Sequence, residues 1–221
     1  MRRIDTDWSG GTGWIAHPDE VMERSSHAIS GDAGSWLIDP VDAPGLDGFL
    51  DEPVAGVVVS FDHHRRDAAA IAARHDIAVH FPAVLAYRAG SMEVPTASLD
   101  QFTRDTGWTA HVLRDWFRWH EVALRAPDEE TVRIPESVGT ARYFRAGDER
   151  LGVHPTARLV PPVAALRDVA TDRVLVGHGE GIMADGRLAI DEAMTNARRR
   201  LPLAYVRAAL SVPSLLGDQR R

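Results

Sequence analysis

The sequence contains no cysteine and no lysine, and each absence excludes a class of chemistry. Without cysteine the chain has no disulfide, no thiolate nucleophile and no cysteine-ligated zinc. Without lysine it has neither a Schiff-base nucleophile nor the lysine of a Walker-type phosphate loop. All 25 basic residues are therefore arginines, against 32 acidic residues. An acidic, lysine-free composition is typical of halophilic proteins, although GC-rich codon usage produces the same arginine bias.

Long apolar runs are also absent. No stretch approaches the roughly 18–20 apolar residues of a membrane-spanning helix, and the N-terminus lacks the apolar segment of a signal peptide. We therefore expect a cytoplasmic protein without a membrane partner. The net charge of −7 disfavours binding to nucleic acid, whose phosphates favour clustered cations, so we expect no nucleic-acid partner.

The first half of the chain has a strand-rich pattern. A composition of 44% hydrophobic and 26% charged residues is average for a globular chain, and the length favours a single domain over residues 1–221. The apolar run Val54–Ser60 predicts a strand that is buried on both faces. A helix over Asp67–Arg74 and a strand over Ile77–Phe81 follow, which gives a βαβ unit.

The second half continues the alternation. Apolar residues at 3–4 spacing predict a helix over Ala110–Arg125, and alternation predicts a strand over Thr140–Arg145. We expect a helix from Pro162 to Val169, a strand over Val174–Val176 and a closing helix over residues 188–210. This order predicts an α/β fold with helices on the outside.

Three loops at predicted strand ends carry side chains that bind metals. The first is Ser60–Asp67, the second contains Gly147-Asp148, and the third is Gly177-His178-Gly179. Functional residues of α/β proteins lie beyond the carboxyl ends of strands. Glycine beside a ligand allows a sharp turn of the backbone. These loops are therefore the candidate site.

The order and spacing of these segments resemble the metallo-β-lactamase fold family. That family has a Leu-Ile-Asp segment early in the chain and a His-x-His-x-Asp-His motif after a hydrophobic strand, followed by Pro-Gly-His-Thr, Gly-Asp and Gly-His-Gly segments. The matching segments here are Leu37-Ile38-Asp39, the loop after Ser60, Pro135–Val138, Gly147-Asp148 and Gly177–Gly179. The resemblance covers about residues 10–195 and implies a four-layer αββα sandwich.

The resemblance implies metal ligands at His63, Asp148 and His178. An alignment shifted by two residues keeps His63 and adds Asp67, and His64 is a further candidate. The family binds two metal ions, whereas these ligands are split between the two positions. The resemblance therefore implies an eroded site that binds no metal or one divalent ion, with zinc preferred.

Two arginines occupy positions where the family has metal ligands. Aligned from Ser60, Arg65 and Arg66 replace the Asp-His pair, and Ser137 replaces the next histidine. Guanidinium groups stay charged, so they oppose a divalent ion but can bind a carboxylate or phosphate. Arg65 and Arg66 are therefore candidate anion-binding residues.

Three functions stay open on this sequence. The first is a protein with an eroded metal site that binds a small anionic ligand and is not a standard metallohydrolase. The second is a mononuclear metal-dependent hydrolase of a thioester, lactone or phosphoester. The third is a non-catalytic scaffold or oligomerisation protein, and a homo-oligomer is compatible with each of them. The sequence assigns no catalytic residue.

Overall fold

The computed structural model describes residues 1–126, 130–207 and 209, and two β-sheets form its centre. Strands of the first sheet lie side by side in chain order: β1 (Arg2–Ile4), β2 (Gly11–Ile15), β3 (Ser25–Gly31), β4 (Gly34–Ile38), β5 (Val54–Val58), β6 (Val79–Phe81) and β7 (Thr96–Ser98). Pairing is antiparallel from β1 to β4 and parallel from β4 to β7. The buried strand predicted within Val54–Ser60 is confirmed as β5.

The second sheet comes from the second half of the chain. Its strands are β8 (Thr109–Trp116), β9 (Trp119–Ala126), β10 (Thr131–Ile134) and β13 (Arg173–Val176), in the spatial order β13-β10-β9-β8. A short antiparallel pair, β11 (Val138–Gly139) and β12 (Gly152–Val153), lies between β10 and β13 in sequence. Strands β10 and β13 run parallel, so their carboxyl ends lie at the same edge.

Among the described residues, five named α-helices flank the sheets. They are α1 (Leu46–Phe49), α2 (Ala68–His75), α3 (Asp100–Thr106), α4 (Val163–Val169) and α5 (Gly186–Asn196), with 3₁₀ helices at Ala83–Ser91 and Pro155–Ala157. A further helical segment covers residues 201–207, and positions 208 and 210 of the predicted closing helix lie outside the described residues. In the part of the chain described here, no helix has the length and apolar character needed to cross a membrane.

Side chains alternate between apolar layers along the strands. In β4, Leu37 packs in a cluster with α1 and α2, whereas Trp36 and Ile38 point into a cluster between the two sheets. In β13, Leu175 joins this central cluster, while its two neighbours pack with α4 and α5. The layers are therefore helix, sheet, sheet and helix, which confirms the α/β four-layer αββα sandwich.

Two predicted elements are wrong. The predicted helix over 110–125 is the β8–β9 hairpin, and the predicted strand over 140–145 consists of turns and irregular backbone. Strand β9 is buried on both faces, with Val122 and Leu124 between the sheets and Ala123 under the outer helices. Such a strand has no polar alternation, so its apolar residues also match a helical spacing.

Four strands end around one point. Strands β4 and β5 of the first sheet and β10 and β13 of the second are parallel pairs, and each is followed by a polar loop. Backbone hydrogen bonds join the sheets there, from Val122 N to the Ser60 carbonyl (2.9 Å) and from Asp62 N to the His120 carbonyl (3.1 Å). The loops after these strands therefore meet.

Candidate metal centre

Three buried side chains from three loops converge at this point. His64 follows β5, Glu136 follows β10 and His178 follows β13. The two Nε2 atoms of the histidines lie 3.2 Å apart, and Glu136 Oε2 lies 3.0 Å from His64 Nε2 and 2.9 Å from His178 Nε2. Among the described residues, this is the one group of histidines and carboxylates that could hold a metal ion.

The opposite side of each imidazole ring is held by an acceptor. His64 Nδ1 lies 3.1 Å from Asp39 Oδ2, and His178 Nδ1 lies 2.9 Å from the Met22 carbonyl oxygen. A carbonyl and an ionised carboxylate only accept hydrogen bonds, so each Nδ1 carries the hydrogen. In the neutral rings both Nε2 atoms therefore present lone pairs toward Glu136.

A buried network keeps Asp39 ionised. Ser60 N and Ser60 Oγ both donate to this carboxylate at 2.8 Å, and Arg133 contacts the same oxygen as His64. Burial alone would raise the pKa of Asp39, but Arg133 and His64 hold that pKa far below its usual range. Burial and the nearby Arg66 lower the pKa of His64, which favours the neutral ring that a metal requires.

Glu121 selects which residue after β10 faces the site. Its buried carboxylate accepts hydrogen bonds from Glu136 N (2.9 Å) and Ser137 N (2.7 Å), and the Ser137 hydroxyl also donates to it. Burial raises the pKa of Glu121, and these donors counteract the rise. Ser137 is thus turned toward Glu121, and Glu136 is turned toward the histidines.

His154 contacts the second oxygen of Glu136. Thr156 N donates to His154 Nδ1 (3.3 Å), so the hydrogen of the neutral ring is on Nε2. His154 Nε2 lies 3.3 Å from Glu136 Oε1. Burial lowers the pKa of His154, which keeps the ring neutral. This contact leaves Oε2 of Glu136 for the two other histidines.

Both glycines beside His178 are required by close packing. A Cβ atom at Gly177 would lie 2.1 Å from the Pro135 carbonyl oxygen, and one at Gly179 would lie 2.3 Å from Thr140 Oγ1. Gly179 also has a φ of +89°, where side chains are strained. The glycines thus let the loop carrying His178 lie against the segments that follow β10 and β11.

Arg66 lies at the edge of the group. Its guanidinium donates to the carbonyl oxygens of Ser25 (2.7 Å), Asp39 (2.8 Å) and Gly177 (3.0 Å), and Nη2 also lies 3.2 Å from His64 Nε2. Burial lowers the pKa of Arg66 to about 9, so the side chain is charged at neutral pH. A fixed cation therefore borders the candidate metal ligands.

The structure brings together only part of the ligand set that the resemblance implies. His178 lies in the group, and so does His64. His63 is exposed beside the Phe61 ring, because the turn after β5 directs neighbouring side chains to opposite sides. Asp148 has an 89% exposed side chain that pairs with Arg200 at 2.7 Å.

The remaining predicted residues lie outside the group. Asp67 accepts a hydrogen bond from Asp42 N (2.9 Å) at the start of α2, and Arg65 donates to Ser91 Oγ (3.0 Å). Sequence reasoning missed Glu136, although it located the Pro135–Val138 segment. The indication available in the sequence was that this segment contains a carboxylate, which is a common metal ligand. No sequence pattern indicated His154.

Neither a protein-family model nor a curated protein sequence matches this chain. Solved structures do match it. The DIM-1 metallo-β-lactamase superposes with a TM-score of 0.57 at 12% identity, covering 89% of this chain and 97% of that chain. A metallo-β-lactamase from Hirschia baltica gives 0.55 at 10% identity over 89% and 97% of the two chains.

A third neighbour is the metallo-β-lactamase FIM-1 from Pseudomonas aeruginosa in its mono-zinc form. Its TM-score is 0.52 at 13% identity, over 80% of this chain and 84% of that one. At these identities the likeness is one of fold, and it agrees with the layer order and with the position of the loops. The resemblance seen in the sequence motifs is therefore confirmed for the fold, and the chain has the metallo-β-lactamase fold.

Proposed function

We propose that His64, Glu136 and His178 bind one divalent metal ion, and that the chain is a mononuclear metal-dependent hydrolase of a thioester, lactone or phosphoester. One observation carries the proposal. The Nε2 atoms of two imidazoles and a carboxylate oxygen lie within 3.2 Å of one another. The acceptors at both Nδ1 atoms favour the tautomer whose Nε2 lone pair faces the glutamate. Such a cluster of acceptors is stabilised by a cation at its centre.

The residues fit a single zinc-like ion. Ligand atoms bound to tetrahedral zinc at about 2.0–2.2 Å lie roughly 3.3 Å or slightly more apart. The separations here are 2.9–3.2 Å, so small side-chain shifts suffice. Two histidines and one glutamate are also a ligand set of catalytic zinc sites, which keep a fourth position open. The mono-zinc form of FIM-1 supports one ion in this fold.

The surrounding residues hold the ligands in place. Asp39 and the Met22 carbonyl orient the two imidazoles, and His154 orients the glutamate. Phe144 stacks on His178 with ring centres 5.0 Å apart and shields that side from water. When bound, a divalent ion would polarise a substrate oxygen and lower the pKa of a bound water to about 7.

Metal content after loading tests the ligand set. The purified protein is dialysed against zinc, manganese and iron(II) in turn and then against metal-free buffer, and the retained metal is measured by elemental analysis. We expect about one equivalent per chain. Glu136→Gln and His178→Ala should lose it, because each removes one of three ligands.

His63→Ala is the matched control. His63 is adjacent to His64 in sequence but exposed, so this variant should retain the metal. Absence of retained metal in the unmodified protein, or equal retention in Glu136→Gln, contradicts the proposed site. Loss of the metal in His63→Ala would instead support His63 as a ligand, as the sequence resemblance implies.

The hydrolase part needs its own assay. The zinc-loaded protein is incubated with a panel of thioesters, lactones and phosphoesters, and turnover is compared with that of Glu136→Gln at equal zinc. Activity that follows bound metal supports the proposal. Full metal occupancy without turnover of any substrate in the panel contradicts the hydrolase and leaves a metal-binding or scaffold protein.

Arg66 favours a second candidate, a metal-free member of the fold. Its Nη2 donates toward His64 Nε2 at 3.2 Å, so a cation already borders this lone pair. In that case the chain keeps the fold and binds a small anion without hydrolysing it. Metal retention separates the two candidates, since the metal-free protein retains none from any of the three solutions.

A further inference from the structure

A basic cleft lies on the outer side of the loop that carries His64. It has a volume of about 590 Å³ and is bounded by the loop after β5, the 3₁₀ helix Ala83–Ser91 and the tip of the β8–β9 hairpin. Its charged lining consists of Arg65, Arg66, Arg88, Arg118, Asp62 and Glu93. The cleft therefore contains more cations than carboxylates.

Two of the four arginines are committed to other partners. Arg88 Nε pairs with Asp62 Oδ1 at 2.6 Å, which neutralises both charges. Both terminal nitrogens of Arg66 donate to backbone carbonyls inside the protein. These two residues shape the cleft but have little capacity left for a ligand.

The other two arginines are available. Arg65 donates to the neutral Ser91 hydroxyl at 3.0 Å and forms no ion pair among the described residues. Within residues 1–126, 130–207 and 209, Arg118 forms neither a hydrogen bond nor an ion pair, and its side chain is exposed at the hairpin tip. Guanidinium groups bind planar or tetrahedral oxyanions through paired N–H donors.

We propose that Arg65 and Arg118 form a binding site for a dianionic phosphate group. Because the Arg88–Asp62 pair is neutral, the lining keeps three guanidinium charges against one carboxylate, Glu93, which is a net charge of +2. This charge matches the two negative charges of a phosphate better than the single charge of a carboxylate. Arg66 connects this cleft to the metal centre, because it lines the cleft and contacts His64 Nε2 at 3.2 Å. If the proposed hydrolase function holds, the phosphate site selects substrates that carry a phosphate beside the bond that is cleaved.

Phosphate binding by the metal-free protein tests the site separately from the metal. The protein is treated with a chelator, exchanged into metal-free buffer and titrated with inorganic phosphate by calorimetry at constant ionic strength. Arg65→Gln/Arg118→Gln should weaken binding by about tenfold or more, because each change removes charge-assisted hydrogen bonds. Arg104→Gln/Arg187→Gln, with the same net charge, should stay within about twofold.

His178→Ala distinguishes this site from the metal centre. It should bind phosphate as the unmodified protein does, even if it retains no zinc. Loss of phosphate binding in His178→Ala would place the anion among the histidines and overturn the proposal. Absence of saturable binding, or equal weakening in both double variants, would also overturn it. Thermal unfolding followed by circular dichroism confirms that each variant is folded.

Discussion

The buried pair between Arg133 and Asp39 allows a stability prediction that does not depend on any bound metal. Both side chains are 0% exposed, and the Arg133 guanidinium contacts Asp39 Oδ2 and donates to Ser60 Oγ at 2.7 Å. Arg133→Met keeps most of the side-chain length but removes the cation. Asp39 then stays buried and charged without its main partner.

We expect the loss of unfolding free energy in Arg133→Met to be at the low end of the range for broken buried ion pairs. Breaking a buried ion pair by removing one partner costs about 3–5 kcal/mol. Asp39 keeps the donors of Ser60 and His64. Arg133 Nε and Nη2 have no hydrogen-bond partner among the described residues, so removing them also relieves a desolvation cost. We therefore expect Arg133→Met to lose about 3 kcal/mol of unfolding free energy.

Urea unfolding of the metal-free protein at pH 7 measures this loss. Asp39→Asn/Arg133→Met should be more stable than Arg133→Met alone, because it removes the buried charge as well as its partner. Arg187→Met, at an exposed position of α5, is the control and should change the free energy by less than about 0.5 kcal/mol. A loss below about 1 kcal/mol for Arg133→Met, at an unchanged urea slope, would show that the buried pair does not stabilise the fold as predicted.

Further predictions concern the loop packing, the pH dependence and the predicted ligand Asp148. Gly177→Ala should lower the unfolding midpoint in urea, because its Cβ would lie 2.1 Å from a carbonyl oxygen, whereas Gly48→Ala, with no atom within 4 Å, should not lower it. Burial lowers the pKa of His27 in the folded protein. Below about pH 6.5 the unfolded state therefore binds a proton at this histidine more readily than the folded state does. Unfolding free energy should therefore fall as pH drops below about 6.5, by up to about 1.4 kcal/mol per pH unit for each such histidine, and a flat profile in urea unfolding between pH 7 and 5 contradicts this. Asp148→Ala should retain the same metal content as the unmodified protein by elemental analysis, since Asp148 pairs with Arg200 away from the metal centre; metal loss would show that it is a ligand.

Much of the fold could be predicted because local signals agreed with tertiary packing. Within the run Val54–Ser60, residues Val54–Val58 form β5 because apolar side chains are buried on both of its faces, and the alanine-rich segment after it forms α2. The β8–β9 hairpin could not be predicted in the same way. Its turn contains Phe117 in a left-handed conformation (φ 53°) instead of the glycine or asparagine that usually marks a hairpin.

Motif order and strand ends in the sequence locate His178, the His63-His64 pair and the Pro135–Val138 segment, although the third predicted loop, Gly147-Asp148, lies outside the group. Which residues of those loops meet depends on contacts between segments that are distant in sequence. His64 faces inward because Asp39, at the end of a neighbouring strand, holds its ring. Glu136 faces inward because the Glu121 carboxylate binds the backbone of that segment from the other side. Neighbouring residues in a loop have no fixed periodicity, so contacts from distant segments select the side chain that faces the centre.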